Sequence, residues 1–130
     1  MESTSAKDGI PLTITAAEVI KEGWLYKESR FLKEWRKRWF VLTKGHLFSY
    51  KEMKIYSKPT EAIEMSKCRT VKSIEEEINR PHAFKLEALD RVFRLQAENY
   101  SEKEGWIGSL GKAMIKKSVP MDEMPDETTY

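Results

Sequence analysis

A chain of 130 residues, 40% hydrophobic and 34% charged, is long enough for one domain around a single core. Cys68 is alone, which excludes an internal disulfide and a multi-cysteine zinc site, and no apolar run reaches the roughly 18 residues of a membrane-spanning helix. The opening MESTSAKDGI shows no apolar signal region and no glycine after Met1 for myristoylation, so cytosolic residence is the expectation.

In chain order, residues 1–14 read as a flexible lead. Thr15 and Glu18 have the spacing of a capping box and predict a short helix that stops at Gly23. A strand is predicted over 23–27 and a loop over 28–34. A second strand, WRKRWFVL, covers 35–42 and is rich in aromatic and β-branched residues. Lys44-Gly45 signals a tight turn into a third strand, HLFSYK. The next segment, MKIYSKPTE, reads as a loop, followed by weaker strands over 62–65, 70–74, 83–88 and 92–97. Glu75, Glu76 and Glu77 read as a solvated loop rather than a calcium site.

The period then changes. Ser101 and Glu104 have the form of a second capping box, and Trp106, Leu110, Ala113 and Met114 recur at helical spacing. Lys112, Lys116 and Lys117 suit the C-terminal end of that helix. Gly105, Gly108 and Gly111 lower its propensity and would let it approach a sheet closely. The tail over 118–130 holds four carboxylates, two prolines and no Lys or Arg, a composition expected to stay disordered. Seven short strands followed by one amphipathic helix make an α+β plan: an antiparallel barrel or sandwich with the helix over one open end.

The net charge of +2 hides an asymmetry. Between Lys27 and Lys54 stand nine basic residues against three acidic ones, which points to an anionic partner. Side chains of a strand alternate between two faces. Arg36, Arg38, Phe40 and Leu42 therefore share one face, and Trp35, Lys37, Trp39 and Val41 the other. Unpaired guanidiniums are costly to bury, so the arginine end must open to solvent or to a counter-ion. A barrel with a charged rim and an apolar floor meets both needs, and such a rim suits phosphate. Lys27, at the end of the first strand, can lie beside Arg36 or Arg38. Arg30 and Lys33 add charge on the loop, and Lys51, Lys54 and Lys58 extend the basic face. Phe31 and Leu32, bracketed by cations, suit insertion at an acyl boundary or a small loop core.

The segments EGWLYKESRFLKEWRKRWFVLTKGHLFSY and RVFRLQAENYSEKEGWIGSL resemble the pleckstrin homology (PH) domain family over residues 22–117. The resemblance implies a seven-stranded antiparallel barrel capped by one C-terminal amphipathic helix. It implies a membrane-targeting module for anionic phospholipid headgroups, phosphatidic acid or phosphoinositide, monomeric and peripheral on a cytosolic face. The family's headgroup motif carries over to Lys27, Arg36 and Arg38. The chain departs from tight phosphoinositide binders at Ser49, where they usually have Tyr, and at Thr60-Glu61, where a basic residue often follows the proline. With Glu28 and Glu34 in the loop, these departures suit a smaller phosphate, such as phosphatidic acid, or charge-driven binding to mixed anionic lipid. The stand-alone size is also similar to acylated PH-domain proteins of apicomplexan parasites, which recognise phosphatidic acid on secretory organelles, though the acceptor glycine is missing.

No nucleophile–base motif surrounds His46, His82 or Cys68, and Cys68 reads as a core or loop thiol, so no enzyme, cofactor or metal is expected. Basic and aromatic residues interleave, yet no RNP or helix-turn-helix pattern appears, and nucleic acid is not the expected partner. The runner-up is a protein-interaction module, using a sheet edge or the groove beside the final helix.

Overall fold

The computed structural model describes residues 6–7, 10–11 and 13–115; the acidic tail over 118–130 lies outside them. Seven strands follow one another: β1 (Lys21–Glu28), β2 (Trp35–Leu42), β3 (His46–Tyr50), β4 (Glu61–Glu64), β5 (Cys68–Ser73), β6 (Ala83–Ala88) and β7 (Val92–Gln96). All pair antiparallel in one sheet of order β4-β3-β2-β1-β7-β6-β5. Every strand sends a side chain into one core: Leu25, Phe40, Leu42, Leu47, Ile63, Cys68, Phe84, Leu86, Phe93 and Leu95. A sheet that encloses a core with all seven strands is a barrel. The short helix α1 (Glu75–Ile78) lies between β5 and β6, and α2 (Tyr100–Met114) follows β7.

Helix α2 plugs one end. Trp106 and Leu110 are fully buried in the barrel core, as the helical spacing requires, and Lys21 lies 5.2 Å from the Trp106 ring centroid. The helix begins one residue before the predicted cap. Asn99 is the N-cap, its side chain accepting from Glu102 N at 2.8 Å. Asn, with a short acceptor, does this as well as Ser. Of the helical glycines, Gly105 alone is tightly hemmed, where a Cβ would come 3.2 Å from Lys21 Nζ; Gly108 faces open space. A Cβ on Gly111 would meet Val71 of β5 at an ordinary 3.8 Å, so two of the three glycines face sheet side chains and one does not.

Two more expectations need correction. Glu75–Glu77 form the helix α1, not a loop, ended by Asn79 in the left-handed region at φ 53°. Glu75 accepts from His82 N at 2.6 Å and lies 3.3 Å from Lys103 Nζ. Lys103 is itself buried, with Ser73 Oγ at 3.1 Å, so this carboxylate ties α1 to α2 and β5. The lead is likewise not a free segment up to residue 14. Ile14 is buried in a second cluster with Trp39, Val41, Phe48 and Tyr50, on the outer face of β2 and β3. Thr15 and Glu18 do form the capping box, but around a single 3-10 turn, Ala16–Glu18. Glu22 fastens this outer cluster: it accepts from Trp39 Nε1 at 3.0 Å and Tyr56 Oη at 2.9 Å, and pairs with Lys54 Nζ at 3.1 Å.

Candidate functional site

Antiparallel pairing brings the β1–β2, β3–β4 and β6–β7 connections to the same end of the barrel, opposite α2. The register there places Lys27 against Arg36 and Leu25 against Arg38. Leu25 belongs to the interior, so Lys27, Arg36 and Arg38 continue the interior face outward as a charged rim. Lys27 and the two arginines singled out by alternation are therefore neighbours on one face.

Each already has a partner within the chain. Arg36 Nη2 donates to Glu34 at 2.9 Å, with both side chains about half exposed, and Arg38 Nη1 donates to the Lys37 carbonyl at 2.9 Å. Lys27, largely buried, pairs with Glu61 Oε1 at 3.1 Å. The other oxygen of Glu61 accepts from Arg91 Nη1. Arg91, whose guanidinium lies 4.3 Å from the Phe93 ring centroid, was not among the expected site residues. It stands in the turn before β7, and no local pattern connects it with Lys27. Glu28 is taken up by Arg94 at 3.1 Å.

The β1–β2 loop is closed by its own backbone: Ser29 N donates to the Glu34 carbonyl at 2.6 Å, and Glu34 N to Ser29 Oγ at 3.0 Å. Lys33 adopts φ 59° to complete the turn. The closed loop presents Phe31, 83% exposed, and Leu32, 67% exposed, to solvent, so no loop core forms. Arg30 lies 5.3 Å from the Phe31 ring and lines a cleft of about 310 Å³ with Glu61, Lys67 and Arg91. Lys51 stands just after β3. It lines a cleft of about 320 Å³ inside the β3–β4 connection with Lys58 and Ile55. Ser49 is buried and its hydroxyl is held 2.6 Å from Thr60 Oγ1, which fixes the chain just before Glu61.

A larger cleft, about 530 Å³, lies on the other face of β1 and β2. Trp24, Tyr26, Lys37, Arg80, His82 and Gln96 are among its walls. Lys37 stands 5.0 Å from the Trp24 ring there. Burial pushes the Cys68 thiol up to about 11, which suits a core residue and not a nucleophile. Among the described residues no helix is long and apolar enough to cross a membrane, and no group of three His, Cys, Asp or Glu could hold a metal ion.

Comparison with known proteins places this architecture. The chain is 37% identical over 102 residues to pleckstrin homology domain-containing protein 1 of Arabidopsis thaliana, covering 75% of this chain and 70% of that protein. It is 39% identical over 112 residues to pleckstrin homology domain-containing family A member 6 of Mus musculus, 80% of this chain but 10% of that much longer protein. The C-terminal PH domain of pleckstrin, solved in complex with D-myo-Ins(1,2,3,5,6)P5, superposes with a TM-score of 0.65 at 30% identity, over 75% of this chain and 96% of that one. The Slm1-PH domain in complex with phosphoserine gives 0.64 at 25% identity, over 75% and 97%. The PH domain profile matches residues 19–114, and the chain belongs to the PH domain family.

Proposed function

We propose that the protein is a membrane-targeting module. It binds anionic phospholipid headgroups, phosphatidic acid or a phosphoinositide, through Lys27, Arg36 and Arg38, with Arg30, Lys33 and Lys51 assisting. Phe31 and Leu32 enter the acyl boundary. The observation that carries this reading is the register of Lys27 against Arg36, with two bare apolar side chains on the adjoining loop. Cations beside exposed apolar groups suit an anionic interface better than water. The ligands of the pleckstrin and Slm1 domains, an inositol pentakisphosphate and phosphoserine, both present phosphomonoesters, which supports the same chemistry here.

Diffuse charge alone would hold the chain weakly. Each Lys or Arg near an anionic surface contributes about 1 kcal/mol, and five give roughly 5 kcal/mol, readily screened by salt. Selective retention therefore has to come from the mouth and the loop tip. Co-sedimentation with vesicles of matched surface charge tests this: phosphatidic acid should retain the chain better than phosphatidylserine, and Lys27→Gln should remove the difference. Equal retention on both lipids would reject the mouth.

A second reading, a protein-interaction module, is favoured by a cleft of about 360 Å³ beside the end of α2, lined by His46, Met65, Ala113, Met114 and Ile115. Peptide binding there would survive the loss of Lys27, Arg36 and Arg38.

A further inference from the structure

The side chain of Glu61 bridges two cations at the mouth. One of its oxygens lies 3.1 Å from Lys27 Nζ, and the other accepts from Arg91. All three side chains are mostly buried, at 15%, 25% and 20% exposed for Lys27, Glu61 and Arg91. The pair is thus shielded from the solvent that screens Arg36 and Glu34. Its position is enforced: Thr60 N donates to the Ser49 carbonyl at 2.7 Å, and Thr60 Oγ1 bonds to Ser49, so β4 starts with Glu61 directed at the two cations.

We propose that Glu61 is an internal competitor for the headgroup phosphate, and that Arg91 is a further phosphate ligand opposite Lys27. This rests on the mouth being a headgroup site. An incoming anion takes over the donors that Glu61 uses, and the carboxylate swings out toward the cleft it shares with Arg30 and Lys67. A phosphomonoester carries about −1.5 to −2 charge and three acceptor oxygens, so it can replace one carboxylate on two cations with a surplus. A phosphodiester with one charge offers little gain in the same exchange. Glu61 thereby sets a threshold that keeps ordinary diester lipids from occupying the mouth.

The experiment compares the full chain with Glu61→Gln, Arg91→Gln and Glu52→Gln in two arms. One arm is phosphatidylcholine vesicles with a fixed fraction of phosphatidic acid; the other is soluble glycerol 3-phosphate by calorimetry. Glu61→Gln should bind at least about fivefold tighter in both arms, because a charged competing bond is gone. Arg91→Gln should bind more weakly in both. Glu52→Gln, an exposed carboxylate of the β3–β4 connection, should gain slightly on vesicles and not at all with glycerol 3-phosphate. A gain at Glu61 no larger than at Glu52, or confined to vesicles, would overturn the proposal. So would unchanged binding by a Glu61→Gln chain that melts normally while Lys27→Gln abolishes binding; the mouth would stand without the competitor. Unimpaired vesicle binding by Lys27→Gln and Arg36→Gln would instead reject the mouth itself. Wild-type protein offers a readout free of folding effects: the side-chain carboxylate ¹³C signal of Glu61 should move on titration with glycerol 3-phosphate. A signal that stays put as Lys27 responds would also overturn it.

Discussion

Replacing Trp106 by Ala removes the side chain through which α2 closes the barrel. The indole is fully buried, and a Cβ placed on Gly23 would lie 3.9 Å from it, so the ring reaches across to β1. Burying a side chain of about 200 Å² is worth roughly 5 kcal/mol at 25 cal/mol per Å². Lys21 over the ring adds about 0.5–1 kcal/mol. Against these stands the indole Nε1, buried without a hydrogen-bond partner among the described residues; its removal recovers roughly 1–3 kcal/mol. The expected cost is about 3–5 kcal/mol, in line with other large-to-small core changes. For a domain of this size that lowers the melting temperature by about 10–20 °C. Trp106→Phe keeps most of the ring and eliminates the orphaned donor, so it should cost under about 2 kcal/mol. Urea denaturation followed by circular dichroism measures both. A loss below about 1 kcal/mol for Trp106→Ala, or equal losses for the two variants, would refute the packing argument.

Substituting Phe31 and Leu32 together by Ser should weaken vesicle retention and leave the melting temperature unchanged, since both side chains are already in solvent; equal retention would leave surface charge alone as the attraction. Burial opposes ionisation of Glu22, but donation from Trp39, Tyr56 and Lys54 outweighs it and holds its carboxyl below the usual value. A lowered folded value means stability that is present above the unfolded carboxylate pKa, near 4.3, and lost as pH falls through the folded one. Glu22→Gln should therefore cost about 1–2 kcal/mol at neutral pH and flatten the acid limb of a melting-temperature profile; an unaltered limb would contradict the clamp. Cys68, with its thiol at about 11, should resist alkylation at neutral pH until denaturant is added, as followed by mass spectrometry.

The barrel was legible because its strands are short-range signals. Once WRKRWFVL is read as a strand, its geometry assigns Arg36 and Arg38 to the face of Phe40 and Leu42, and the register with β1 agrees. The features that escaped the sequence are those made by distant partners. Ile14 has no periodic neighbours to mark it as buried; it becomes so because the outer face of β2 and β3 is itself apolar. Nothing in the sequence marks Lys103 as buried, yet Ser73, Glu75 and Glu104 satisfy it in the interior. Glu61 reads only as an acid where a cation was expected. Its role as the counter-ion of Lys27 and Arg91 depends on strands that meet only in the closed barrel. Asn99 and Ser101 are both good caps, and composition alone could not choose between them.

The central claim is that phosphate enters the mouth rather than the larger cleft on the opposite face. Lys37 separates the two, since it stands on β2 between Arg36 and Arg38 but lines the opposite cleft with Trp24 and Arg80. The measurement is retention on phosphatidic acid vesicles for Arg36→Gln, Arg38→Gln and Lys37→Gln at one ionic strength. The mouth requires that either arginine change abolish retention, while Lys37→Gln trims it by about one surface charge, ~1 kcal/mol. Equal losses from all three would mean a diffuse basic surface, and a loss confined to Lys37→Gln would put the phosphate in the outer cleft.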